Sequence, residues 1–179
     1  GLVLNQGHED ILLLRQGPRK GAFQWKLDYP DAYVPRHLTR GVAGRIDARG
    51  QEHVPLDEAA VRAAARDFAG LGVQAIAVGL LWSVVNPAHE LRVRDILARE
   101  LPDIPVTLSH EINPMPREYQ RVIAAAIDAS IHPIVSRYIG RLQQALDAAG
   151  FAGDLLLANC VGGMMPLPEM LKKPIYSVM

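Results

Sequence analysis

The sequence is poor in the features that staple, anchor or steer a chain. Only one of its 179 residues is cysteine, Cys160, so no internal disulfide can form, and a reducing cytoplasm is the expected setting. No run of ~18 or more consecutive apolar residues offers a membrane span, and no signal peptide is visible. Neither sign of charge is in excess, since nineteen Lys and Arg balance nineteen Asp and Glu. That balance argues against nucleic acid as a partner and against an acidic tail. The one local excess lies between Arg15 and Arg49, where eight basic residues meet three acids. Also missing are GxGxxG, GxxxxGK[ST], HExxH and CxxC, so no phosphate loop or metal site announces itself by spacing.

What is present is the balance of a globular chain, 49% hydrophobic against 21% charged, in a length suited to a single α/β region. Residues 1–50 read as an irregular, strand-rich segment. Leu2–Leu4 and Ile11–Leu14 are expected strands around Gly7-His8-Glu9-Asp10, Gly17-Pro18 and Tyr29-Pro30-Asp31 mark turns, and Leu38 to Ile46 alternates before Asp47-Ala48-Arg49-Gly50. Glu52–Val54 is a further short extended piece.

Residues 51–179 alternate helices with strands. Leu56-Asp57-Glu58 opens a helix whose apolar residues Val61, Ala64, Ala65, Phe68 and Leu71 recur at helical spacing until Gly70 and Gly72. Val73–Leu81 is nearly all apolar, the pattern of a strand covered on both faces. Asn86-Pro87 caps a second helix that ends at Pro102, Ile104–Leu108 is a strand, and residues 109–114 form a polar connection. One apolar stripe from Tyr119 to Leu146 contains Pro133, which makes it either one kinked helix or two helices meeting near His132. Leu155–Ala158 reads as a strand, residues 159–163 as a loop and Leu167–Leu171 as a short helix. The order implies βαβ units and a mixed, largely parallel sheet with flanking helices.

In such sheets ligands sit beyond the carboxyl ends of strands, which directs attention to the loops after Leu81, Leu108 and Ala158. The first holds Trp82, Ser83 and Asn86, suited to packing and capping. The second holds His110, Glu111 and Asn113, followed by Arg117 and Glu118. At 100° per residue Arg117, Glu118, Arg121 and Asp128 share one helical face opposite the apolar stripe, either as a functional set or as a solvated face with Glu118 paired to Arg121. The third holds Asn159-Cys160-Val161-Gly162-Gly163, whose glycines permit close approach of an anion or simply a turn. Cys160 reads as a buried thiol rather than a nucleophile. His8-Glu9-Asp10 and His110 with Asn113 could supply metal ligands from separate loops, and no metal ligands are assigned.

Several stretches together resemble the amino-terminal region of the hydantoinase A/oxoprolinase family, which includes ATP-dependent ketone carboxylase subunits. Gly1-Leu2-Val3 with Gly7-His8-Glu9-Asp10 is similar to a GLVTTxGFxD stretch. Val34-Pro35-Arg36 through Arg45-Ile46-Asp47-Ala48-Arg49-Gly50 to Pro55-Leu56-Asp57 is similar to VPR…ERIDxxG…PLD, and residues 80–90 to LLxSxxNPxHE. Ser109-His110-Glu111-Ile112 with Arg117-Glu118-Tyr119-Gln120-Arg121 is similar to S-x-E…REYER, and Asn159 to Gly163 stands where the family has SNGG. Departures are Leu4-Asn5-Gln6 in place of TTx, Asp128 where Asn is common, and Cys160-Val161 inside SNGG.

The resemblance implies part of an actin/hexokinase-like ATPase fold, with ATP and magnesium as cofactors bound mainly by regions outside residues 1–179. A DxGGTxTD phosphate loop is expected before Gly1 and an SGPAAG-like loop after Met179, in keeping with apolar, strand-like runs at both ends. It implies phosphorylation of a cyclic amide carbonyl for hydrolysis, or the same activation of a ketone for carboxylation. Glu111 and Glu118 would orient substrate, water or magnesium, Arg117 and Arg121 would stabilise phosphoryl charge, and Asn159, Gly162 and Gly163 would border the nucleotide. A second, hydantoinase B-like subunit and a homo-oligomer are the implied partners. The reading from a different class is a non-catalytic docking module that presents the basic Arg15–Arg49 segment.

Overall fold

The computed structural model describes residues 1–16, 30–159 and 162–177. The turn markers Gly17-Pro18 and Tyr29, the Cys160-Val161 pair and Val178-Met179 lie outside them. Strand β1 (Leu2–Asn5) leads to a one-turn helix α1 (Ile11–Leu14). Strand β2 (Thr39–Val42) follows, then the antiparallel pair β3 (Arg45–Ile46) and β4 (Glu52–Val54). Helix α2 (Glu58–Gly70), strand β5 (Ile76–Gly79), helix α3 (Ala88–Glu100) and strand β6 (Val106–Leu108) make up the middle of the chain. Helix α4 (Ser109–Ile112), helix α5 (Glu118–Ala148), strands β7 (Leu156–Ala158) and β8 (Met164–Pro166), and helix α6 (Leu167–Lys172) complete it.

The main sheet has the order β2-β1-β5-β6 and every pairing in it is parallel. Strand alternation divides its side chains between two cores. Val3, Ile76 and Val78 face α2 and α3, meeting Phe68, Val93 and Leu97. Leu2, Leu4 and Ala77 face α5, meeting Val122, Ala125, Ala126 and Ala129. Small residues let α5 lie close to the sheet: a Cβ on Gly79 would come within 2.5 Å of Val122 Cγ2. Local signals fix the helix starts. Asp57 accepts a bond from the Ala60 N–H at 3.0 Å, a cap worth about 1 kcal/mol, and Asn86 Oδ1 accepts from Ala88 N–H at 3.0 Å.

The expected α/β class and the strands at Leu2, Ile76 and Val106 are present, and several details differ. Ile11–Leu14 is a helical turn rather than a strand, because its apolar residues pack as a knob with Leu12 buried against α5 instead of pairing. The polar connection after Leu108 opens as α4. Strand β7 does not join the main sheet; it pairs antiparallel with β8 as a separate hairpin. The extended run expected at Ile175-Tyr176 is a 3-10 turn, Pro174–Ser177. The stripe through Pro133 is one helix of 31 residues, of which the first half lies on the sheet and the second carries the hairpin and α6 through Ile139, Leu167 and Met170. By length and composition α5 could cross a membrane, yet its buried face includes Arg121 and Asp128.

Candidate functional site

The chain leaves β1 toward β2 and leaves β5 toward β6, in opposite directions, so the switch point of the sheet lies between the carboxyl ends of β1 and β5. Asn5 closes that point. Its Oδ1 accepts from the Leu81 N–H at 2.7 Å and its Nδ2 donates to the Gly44 carbonyl at 2.7 Å, joining β1 to the loops after β5 and β2. The loop after β5 then turns through Trp82, whose φ of 57° is costly for a bulky residue, and whose carbonyl accepts from Val85 and Asn86.

Beneath this loop lies a buried charged network. Glu90, in the first turn of α3, is fully buried and its carboxylate accepts four bonds. They come from Leu80 N–H at 2.8 Å, Ser109 Oγ at 2.5 Å, His110 N–H at 3.2 Å and His110 Nδ1 at 2.6 Å. Arg121, equally buried, donates through Nε to Ser109 Oγ at 2.9 Å and through its NH groups to the carbonyls of Leu80 at 2.7 Å and Met115 at 3.3 Å. Burial lowers the Arg121 pKa from its ordinary value, while the negative charges of Glu90 and Glu118 act to raise it. Ser83 Oγ lies 3.5 Å from Ser109 Oγ and completes the cluster.

Asp128 forms a second buried centre one step along α5. It accepts from Thr107 Oγ1 at 2.9 Å and from the Ile175 N–H at 2.9 Å, tying β6 to the carboxyl-terminal turn. Burial raises its pKa, opposed by those two bonds and by the charges of His132 and Lys173.

The four residues expected to act on one face are therefore divided. Arg117 and Glu118 line a groove of about 370 Å³ with Ile11, Leu14, Arg15, Gln16 and Tyr119. Arg117 is exposed at a strained φ of 85°. Arg121 is behind them, inside the network rather than on a solvated face, because the small residues Ala125, Ala126 and Ala129 turn that side of α5 to the sheet. Glu111 points elsewhere, paired with Arg94 at 2.8 Å, and its carbonyl accepts from Lys173 Nζ at 2.8 Å.

Asn159, Gly162 and Gly163 form the β7–β8 hairpin turn. Asn159 N–H donates to the Gly163 carbonyl at 2.9 Å, Gly162 N–H to the Asn159 carbonyl at 3.2 Å and Gly163 N–H to Asn159 Oδ1 at 2.8 Å. These amides are used within the turn and are not arranged as a phosphate cradle. Gly162 has φ of 90°, which explains the glycine.

Among the described residues no group of three His, Cys, Asp or Glu side chains could hold a metal ion. Of the metal candidates near Gly7, Glu9 accepts from the Gly7 N–H and Asp10 pairs with Arg36 at 2.6 Å. Part of the basic excess is used internally as well, since Arg40 pairs with Asp67 at 2.7 Å and lies over the Phe68 ring.

In the sequence Glu90 only ends the LLxSxxNPxHE-like stretch and has no assigned role, although a signal exists: it stands three and seven residues before Val93 and Leu97, on the apolar stripe of α3. A carboxylate on a buried stripe needs partners, and Ser109 and His110 supply them.

In open parallel sheets ligands sit beyond the carboxyl ends of the strands, and here polar side chains gather beyond β1, β5 and β6. The chain belongs to the hydantoinase/oxoprolinase family, whose N-terminal region model matches residues 1–101 and whose second model matches residues 121–179. It is 37% identical over 180 residues to the caprolactamase subunit alpha of Pseudomonas jessenii, covering 99% of this chain and 26% of that protein. It is 36% identical to the acetophenone carboxylase gamma subunit of Aromatoleum aromaticum, covering 91% and 24%. The crystal structure of ATP-dependent caprolactamase from Pseudomonas jessenii superposes with a TM-score of 0.83 at 39% identity, covering 93% of this chain and 24% of that one. Nucleotide-free acetone carboxylase superposes with a TM-score of 0.79 at 31% identity, covering 99% and 27%. The chain thus spans about a quarter of the relatives it matches.

Proposed function

We propose that this chain is part of an enzyme that uses ATP to phosphorylate the carbonyl oxygen of a cyclic amide, activating it for hydrolysis. The observation that carries this reading is the match along nearly the whole chain, in sequence and in fold, to an ATP-dependent caprolactamase. The actin/hexokinase-like architecture, the magnesium ion and a second subunit belong to the same proposal; the relatives are themselves named as subunits.

Within it the Arg117–Glu118 groove is the part of this chain that meets substrate or phosphoryl oxygens, since an exposed guanidinium at a strained backbone position beside a half-buried carboxylate can bind charge without first being freed. Arg121 contributes through the network, by holding Ser109 and the Leu80 carbonyl. Glu111 keeps its orienting role only by leaving Arg94. Asn159, Gly162 and Gly163 border the nucleotide by the shape of the turn rather than by free amides. ATP, when bound, supplies the phosphoryl group; this chain supplies orientation and charge.

A ketone substrate is favoured by a different observation, the 36% identity to an acetophenone carboxylase subunit. The test is ATP consumption by the complete protein with its partner subunit, offered 5-oxoproline, hydantoin and a caprolactam in one series, and acetone and acetophenone with bicarbonate in another. Amide-dependent ADP release with ring opening supports the first reading. ATP use only with ketones replaces it with the second, and use with neither leaves the docking module.

A further inference from the structure

We propose that His110 is the base that takes up the proton released when the carbonyl oxygen is phosphorylated, with Glu90 as its positioning residue. The inference rests on the function proposed above and names a residue for a step that both substrate classes share. When an amide oxygen attacks the γ-phosphorus, an O–P bond forms, the bond from phosphorus to the β-phosphate oxygen breaks and ADP leaves. A neutral product requires the amide N–H bond to break as well, its electron pair closing the C=N bond while the C=O bond becomes C–O. For a ketone the α C–H bond breaks and its pair closes C=C. In each case one proton must go to a base.

His110 is built for that purpose. It stands in α4, directly after the carboxyl end of β6, and Glu90 links its ring to the Leu80 N–H just beyond the end of β5. Its Nδ1 lies 2.6 Å from Glu90 Oε2, and because a carboxylate can only accept, Nδ1 carries the hydrogen. That fixes the tautomer: Nε2 is left with its lone pair and has no hydrogen-bond partner among the described residues. The side chain is 15% exposed, so the surrounding protein holds it while part of it meets solvent. Imidazole is the side chain suited to exchanging protons near neutrality.

The dyad is not required to satisfy Glu90. Leu80 N–H, Ser109 Oγ and His110 N–H already donate to the carboxylate, and Arg121 offsets its charge through Ser109. A fourth bond from the ring orients the ring. Arg94 is occupied by Glu111, and Lys173 by the Glu111 carbonyl, so among the described residues no Lys or Arg is paired with Glu90 in place of the histidine.

The experiment uses the complete protein with its partner subunit and the substrate that supports its ATP turnover. His110→Asn keeps a donor at the Nδ1 position for Glu90 and removes the outward acceptor; His110→Ala opens a space that added imidazole can enter. The expected result is a fall in kcat of about 10²-fold for both variants, with the melting temperature of His110→Asn near wild type and at least tenfold recovery of His110→Ala in imidazole. Turnover of His110→Asn within threefold of wild type overturns the inference, as does a loss in both variants that imidazole leaves unchanged. If His110→Asn unfolds, the imidazole response of His110→Ala decides alone. A wild-type protein that consumes no ATP with any amide or ketone defeats the functional reading itself, and this step with it.

Discussion

Glu90 and Arg121 grip opposite sides of Leu80: the carboxylate accepts from its N–H at 2.8 Å and the guanidinium donates to its carbonyl at 2.7 Å. Ser109 Oγ closes the loop between the two charges. The residue that follows strand β5 is thus clamped from α3 and α5 at once, which fixes where the loop carrying Trp82 begins.

Removing one jaw of this clamp should be expensive. Arg121→Met leaves Glu90 buried without a compensating charge and leaves the Leu80 carbonyl only the long bond from the Ser83 N–H at 3.4 Å, so a loss of about 3–5 kcal/mol is expected in urea denaturation. A loss below about 1 kcal/mol, with turnover abolished, would instead put Arg121 in contact with substrate.

Arg117 calls for a paired substitution. Arg117→Gly relieves the positive φ and should stabilise by about 1 kcal/mol, whereas Arg117→Ala should not. If the side chain meets phosphoryl oxygens, both variants lose about 10²-fold in turnover, and Glu118→Gln behaves similarly with its melting temperature unchanged. Steady-state kinetics beside calorimetric melting separates the two effects.

Asp128 has a pH signature. Its pKa is raised in the folded state from an ordinary 3.8, so the native state holds that proton more tightly than the unfolded chain does. The contribution to stability is therefore full below about pH 3.8 and is lost as pH rises through the folded pKa. Asp128→Asn can keep both bonds, accepting from Ile175 N–H and donating to Thr107 Oγ1. Its stability relative to wild type should increase from pH 4 to pH 7; a constant or shrinking difference across that range contradicts the assignment.

At the hairpin turn, Gly162→Ala should cost about 1 kcal/mol through its left-handed backbone, and Asn159→Ala should free the Gly163 N–H. Titration calorimetry with ATP on the complete protein tests the bordering role: affinity unchanged in both variants would return the turn to a purely structural part.

The sequence made the sheet and the helix starts readable because their causes are local. The apolar run at residues 76–79, the Asp57 cap and the Asn86-Pro87 start each act within a few residues. Ile11–Leu14 failed because four apolar residues in a row fit a strand or a helical turn equally, and the choice is made by α5, more than a hundred positions later. Arg121 failed for a related reason. On a helical wheel it belongs with charged neighbours, and only Ser109, Leu80 and Met115, supplied by three other segments, make its burial tolerable. The β7–β8 pairing was hidden because Met164-Met165-Pro166 carries no alternation.

Strand β1 lies inside the sheet, yet both of its partners come later in the chain, and Asn5 must find Leu81 across 76 positions. During synthesis Leu2, Val3 and Leu4 emerge long before β5 can cover them. At 5–20 residues per second that interval lasts several seconds, time in which an unpaired apolar strand can associate with another nascent chain. The order of strands therefore ties correct assembly to translation speed and to chaperone supply.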